Sequence, residues 1–162
     1  MTGAHNARVS LAALICVKPG HRPRLIYRVH RGRARGADRR KGFTAADYAS
    51  LLDDAHQQLG GPLVLVWDNL SIHVSRAMAE LIAARDWLTV FQLPPYAHEL
   101  NPVELVWSHL KRSLANLAKR NLAQLTALVK TRLKRMQYRP GLLRGFLAST
   151  RLDLTPFCNP HP

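Results

Sequence analysis

Acid is scarce in this chain. Its 162 residues hold 10 Asp and Glu against 24 Lys and Arg, a formal net charge of +14 with histidine neutral. A balance this basic points first to a polyanionic partner. Cysteine is scarcer still: Cys16 inside an apolar run and Cys158 near the end exclude a disulfide framework or a thiolate zinc site, and they fit a reducing cytosol. No long hydrophobic run occurs. The longest, Val9 to Val17, is too short to span a bilayer. With Arg8 before it the run faintly imitates a secretory signal, but no small-residue cleavage site follows, and Lys18-Pro19-Gly20 reads better as a turn after a strand. A cytoplasmic protein without a membrane partner is therefore expected.

The basic charge is unevenly placed. Arg8 to Lys41 holds eleven Lys and Arg opposed by Asp38 alone, and Leu105 to Arg151 holds eleven more with no acid. Simple solubilisation would mix the signs, so a nucleic-acid face is the preferred explanation and a solvated surface the plainer one.

At this length one domain is expected, over residues 1–150, with an irregular tail over 151–162. Val9–Val17 and Arg24–His30 read as a β-hairpin, and Arg31–Gly42 as an exposed loop. Thr44 with Asp47 three residues on opens a helix whose apolar stripe is Tyr48, Leu51, Leu52, Ala55 and Leu59, stopped at Gly60-Gly61-Pro62. Leu63–Trp67 is apolar throughout and predicts a strand covered on both faces. A helix over 75–85, with Met78, Leu81 and Ile82 inward, and a strand over 87–93 follow. Asn101-Pro102 starts another helix, and one over 122–137 turns Leu125, Leu128, Val129, Leu133 and Met136 inward and Lys130, Arg132, Lys134 and Arg135 outward. Pro140-Gly141 is expected to break it before a short helix over 142–148. Strands alternating with helices predict an α/β fold with a central parallel part, in which ligands gather beyond the carboxyl ends of strands.

Two carboxylates punctuate that scheme, with 35 residues between them. Asp68 closes the Leu63–Trp67 run, followed by Asn69 and His73; Glu104 lies on the first turn after Asn101-Pro102. Phosphodiester chemistry needs an activated oxygen nucleophile and a stabilised anionic transition state, and two Mg²⁺ about 4 Å apart can provide both. Hard carboxylate oxygens on rigid elements suit Mg²⁺. Asp68 and Glu104 are thus candidate catalytic metal ligands, and Asn69, His73 and Asn101 candidate supporting groups. Lys111, Arg112, Lys119, Arg120, Lys130, Arg132, Lys134 and Arg135 are candidate DNA contacts. Plainer readings stand beside these: Asp68-Asn69 as a turn, Glu104 completing a capping box with Asn101, His73 and the tryptophans Trp67 and Trp107 as packing.

The string Asp68-Asn69-x-x-x-His73, then Leu93-Pro94-Pro95-Tyr96, then Leu100-Asn101-Pro102-Val103-Glu104-x-x-Trp107, resembles the second half of a DDE transposase of the bacterial insertion-sequence branch of the mariner-like superfamily. The resemblance runs from about Arg8 to Leu147. It implies a ribonuclease H-like mixed sheet flanked by helices with a helical C-terminal extension, Mg²⁺ or Mn²⁺ dependence, and cleavage and joining of double-stranded DNA at transposon ends and target. Further partners it suggests are a second copy of the chain or the product of an upstream reading frame, and its setting would be the bacterial nucleoid. By motif, Asp68 corresponds to the second acidic ligand and Glu104 to the third.

Three departures stand out. The family's first Asp belongs on a first, central strand upstream of the hairpin, where Met1–Ala7 holds no acid; Asp38, Asp47, Asp53 and Asp54 come too late. No helix-turn-helix region precedes it, and His98 stands where a Pro is usual. The expectation is a truncated catalytic core (a decayed copy, a split-frame product or a late start), inactive alone, with a gap between the hairpin and the Leu63 strand. The competing expectations are a non-catalytic DNA-binding remnant and a different ribonuclease H-like nuclease, such as a structure-specific enzyme.

Overall fold

The computed structural model describes residues 8–31, 42–117 and 121–152. Strands β1 (Val9–Cys16) and β2 (Arg24–Arg31) pair antiparallel from Val9 opposite Arg31 to Cys16 opposite Arg24. Between them His21 donates its N–H to the Lys18 carbonyl at 3.0 Å, with Pro19 and a left-handed Gly20 at the two central positions. That is a type II turn, in which the third residue needs positive φ.

Helix α1 (Ala45–Leu59) begins at Thr44. Its hydroxyl accepts from the Asp47 N–H at 3.2 Å, and the Asp47 carboxylate accepts from the Thr44 N–H at 2.8 Å, the reciprocal box expected there. A left-handed Gly60 ends it. Next come β3 (Leu63–Trp67), α2 (Arg76–Ala83) and β4 (Leu88–Gln92), a strand–helix–strand unit in which β4 runs parallel to β3. Three helices complete the order: α3 (Val103–Leu114), α4 (Leu122–Gln137) and α5 (Pro140–Ser149).

Alternation divides the hairpin into two apolar faces. Leu11, Ala13, Ile15, Leu25, Tyr27 and Val29 meet Val106 and Leu110 of α3, Val129, Leu133 and Met136 of α4, and Leu143 and Phe146 of α5. Ala12, Cys16 and Ile26 meet Leu51 and Ala55 of α1. Full burial of Leu133 and Leu143 removes side chains from water that each contribute about 1.5–3 kcal/mol. Cys16 is a free buried thiol, and burial pushes its pKa up to about 11.

The α/β fold stands as expected, with four corrections. Residues Leu65 and Trp67 of β3 are buried with Met78 and Leu88, but Val64 and Val66 on the opposite face are 64% and 47% exposed. The strand is covered on one face only; an apolar run does not distinguish the two cases when its outer side chains are small and β-branched. The expected break between α4 and α5 is present, but α5 opens at Pro140 itself rather than at 142, because at the first helical position proline's missing N–H has no partner to lose. Arg132 is half-buried rather than outward, with its Nε enclosed and unbonded among the described residues. The loop expected over Arg31–Gly42 falls almost wholly outside the described residues. Among the described strands, β1–β2 and β3–β4 form two separate sheets. No helix among these residues is long and apolar enough to cross a membrane.

Candidate metal centre and nucleic-acid face

Asp68 follows the last residue of β3. Its neighbourhood is braced across the parallel pair. Leu93 donates its N–H to the Trp67 carbonyl at 2.7 Å, and Asn69 Nδ2 donates to the Leu93 carbonyl at 2.9 Å. Asn69 thus ties the end of β3 to the end of β4. The Asp68 carboxylate itself turns back on the chain: Oδ1 accepts from the Leu70 N–H at 3.2 Å and from His73 Nδ1 at 2.9 Å. An ionised carboxylate has no proton to give, so His73 Nδ1 is the donor.

The imidazole is held by rings. It lies flat on Trp67, centroids 4.1 Å apart and planes 3° from parallel, while Tyr48 of α1 meets it edge-on at 5.0 Å and 88°. Only 10% of the His73 side chain is exposed. Burial, and then the negative charges of Asp68 and Asp47, push the Tyr48 phenol up from its ordinary value. His73 therefore joins Asp68 directly. Tyr48, read in the sequence only as part of an apolar stripe, completes the cluster; nothing in the spacing from residue 48 to 73 signals it.

Glu104 sits on the first turn of α3. The Asn101 side chain caps that helix by accepting from the Val103 N–H at 3.1 Å, but the Asn101 N–H goes to the His98 carbonyl at 3.0 Å. The capping box that would have occupied Glu104 is not made. Its half-buried carboxylate has no hydrogen-bond or ion-pair partner among the described residues.

The remaining half-buried acids are engaged. Asp47 serves the α1 cap. Arg85 clasps Asp53 with Nε on Oδ1 at 2.7 Å and Nη2 on Oδ2 at 2.8 Å, fixing α1 to the end of α2. The Arg85 hydrogen bond holds the Asp53 carboxyl below its usual range. Arg28 binds Asp54. Asp38 lies outside the described residues, among which no group of three or more His, Cys, Asp or Glu side chains is placed to hold a metal.

The two basic regions also differ. Within the first, Lys18 donates to the Leu59 carbonyl at 2.7 Å and Arg24 to the Gln58 carbonyl at 3.3 Å, so two cations sit on the negative end of α1. In the second, Lys111, Arg112, Lys130, Lys134 and Arg135 are exposed and make no ion pair among the described residues. Lys119 and Arg120 lie outside the described residues.

Among solved structures, the catalytic domain of Mos1 mariner transposase is similar to this chain at 13% identity, covering 88% of this chain and 81% of that one with a TM-score of 0.44. No curated protein matches it. A family profile described as DDE superfamily endonuclease matches residues 4–128, more than half of the sequence. The chain belongs to the DDE superfamily endonucleases.

Proposed function

We propose that this chain is part of a transposase catalytic core, ribonuclease H-like in architecture, that cleaves and joins double-stranded DNA at insertion-sequence ends with Asp68 and Glu104 as ligands of a shared divalent metal. One observation carries this. In a protein with 24 Lys and Arg, Asp68 and Glu104 are, among the described residues, the two half-buried carboxylates that neither cap a helix nor pair with an Arg. Asp68 has only the His73 imidazole beside it and Glu104 has no partner among the described residues, and a half-enclosed carboxylate with no Lys or Arg to neutralise it is costly unless a cation accompanies it.

The donors suit Mg²⁺ or Mn²⁺, which prefer carboxylate oxygens and keep several waters. Such a metal, when bound, supplies charge neutralisation and a polarised oxygen nucleophile. The chain's own residues do the rest. β3 and the first turn of α3 present the two carboxylates from rigid elements, and the Asn69 bridge keeps the ends of β3 and β4 in register. The exposed cations of α3 and α4 hold backbone phosphates without reading sequence. No group of three or more His, Cys, Asp or Glu side chains among the described residues is placed to hold a metal, so on this reading full activity requires a further carboxylate from outside them, and the described part alone is expected to be inactive.

The test is nicking of DNA carrying the transposon end, by the protein supplied with that third carboxylate. Asp68→Asn and Glu104→Gln should each abolish Mg²⁺-dependent cleavage while leaving DNA retention intact. Retained cleavage in both variants would remove the metal-ligand assignment. A non-catalytic DNA-binding role is the second reading, favoured by the exposed, acid-free face of α4. It predicts retention that ignores Mg²⁺ and falls steeply with salt, with the slope reduced by about one for each of Lys130, Lys134 and Arg135 replaced by Gln.

A further inference from the structure

The histidine beside Asp68 has a cost that packing alone does not explain. His73 Nε2 is buried with no hydrogen-bond partner among the described residues, and so is Nε1 of the Trp67 ring on which it stacks. An orphaned buried polar atom costs about 1–3 kcal/mol, which a phenylalanine or leucine of similar bulk at position 73 would avoid. What the imidazole offers and those side chains lack is an Nδ1–H that meets Asp68 Oδ1 at 2.9 Å and, more weakly, the Asp68 carbonyl at 3.2 Å.

We propose that His73 is a positioning residue. Clamped by the face of Trp67 and the edge of Tyr48, it fixes the Asp68 carboxylate so that Oδ2 alone is presented to the divalent cation. This rests on the assignment of Asp68 as a metal ligand. Oδ1 already takes two donors, the Leu70 N–H and His73 Nδ1, which fill its two lone pairs, whereas Oδ2 takes none among the described residues. The protein orients its other exposed-edge carboxylates differently. Asp53 and Asp54 are held by arginines, which orient a carboxylate but also neutralise it and occupy its metal-facing lone pairs. A single imidazole N–H orients one oxygen and leaves the other free. Supporting partners of this kind typically change metal affinity 10- to 100-fold when removed.

Mn²⁺ titration of the full chain, followed by the electron paramagnetic resonance signal of the free ion, tests this without any cleavage assay. Asp68→Asn should remove the binding seen in the wild type. His73→Ala should weaken it about 10-fold or more. His73→Asn places an amide N–H close to where Nδ1 stood and should recover most of the affinity; His73→Gln, one methylene longer, should not. A packing role would rank Asn and Gln alike, so this pair stays decisive even if the Ala variant is poorly folded. Near-ultraviolet circular dichroism on each variant reports whether the aromatic cluster is intact. If His73→Ala and His73→Gln bind Mn²⁺ within twofold of wild type while Asp68→Asn does not bind, the positioning role is wrong and the metal assignment stands. If Asp68→Asn binds like wild type, the metal assignment falls and the positioning role with it.

Discussion

The two strand pairs of this protein are built to different standards. The β1–β2 hairpin is enclosed on both sides, by α1 on one face and by α3, α4 and α5 on the other. The β3–β4 pair is packed against α1 and α2 on one face, while Val64, Val66 and Phe91 on the other are 64%, 47% and 57% exposed. The less enclosed pair is the one that leads into the proposed site, since Asp68 directly follows β3. If the proposed site is right, stability and function are placed apart: the two-sided core anchors the molecule, and the site lies beside its half-covered part.

The contrast breaks most visibly in stability. Leu133 of α4, fully buried against the hairpin, should cost about 2–5 kcal/mol when replaced by Ala in denaturant unfolding. Comparable losses at Val64 would show that the open face of β3 is covered in solution. Chemical reactivity draws the same line. With the Cys16 thiol raised from 9.0 to about 11, its thiolate fraction near pH 8 falls about 100-fold, so alkylation in a Cys158→Ser background should be slow until the protein unfolds. A cysteine introduced by Val64→Cys, with Cys16→Ser also present, should react like a free thiol. Cys16 also contributes stability that is fully present below pH 9 and lost as pH rises toward 11, because the folded state disfavours its thiolate.

A smaller effect belongs to the clasp between α1 and α2. Asp53 is 47% exposed, so solvent screening limits Asp53→Asn to about 0.5–1 kcal/mol. Its folded pKa is depressed, chiefly by the Arg85 hydrogen bond. The contribution is therefore present above the unfolded carboxylate value and lost as pH falls through the folded one. Melting curves from pH 7 down to 3 should show wild type and variant converging at the acid end; a constant difference would contradict the assignment. The smallest effect is expected at the open face, where Val64→Thr should stay within about 0.5 kcal/mol.

Much of this was legible in the residues, and the exceptions have physical causes. Helix α4 falls on 122–137 as expected because Asn121 and Gln124 form a capping box and the apolar positions keep helical period. Thr44 with Asp47, the Gly60 stop and the Asn101 cap were equally readable, since each rests on local backbone chemistry. One-sided coverage of β3 was not readable, because coverage is a tertiary fact. The pairing of Glu104 with Asn101 looked possible from spacing, but the preceding turn at His98–Leu100 takes the Asn101 N–H first. The Asp68–His73 contact was anticipated as proximity only. That Trp67 and Tyr48 hold the imidazole depends on α1 lying across β3, which no local pattern encodes. Arg132 shows the limit of helical periodicity: its position is outward by spacing, yet the side chain is half-buried and its Nε enclosed.

The central claim is that Asp68 and Glu104 grip one divalent ion. Anomalous diffraction from a crystal soaked in Mn²⁺ tests it most directly. The expected result is a peak about 2.1 Å from both Asp68 Oδ2 and a Glu104 carboxylate oxygen. A peak on either residue alone, or none at the end of β3, would contradict it.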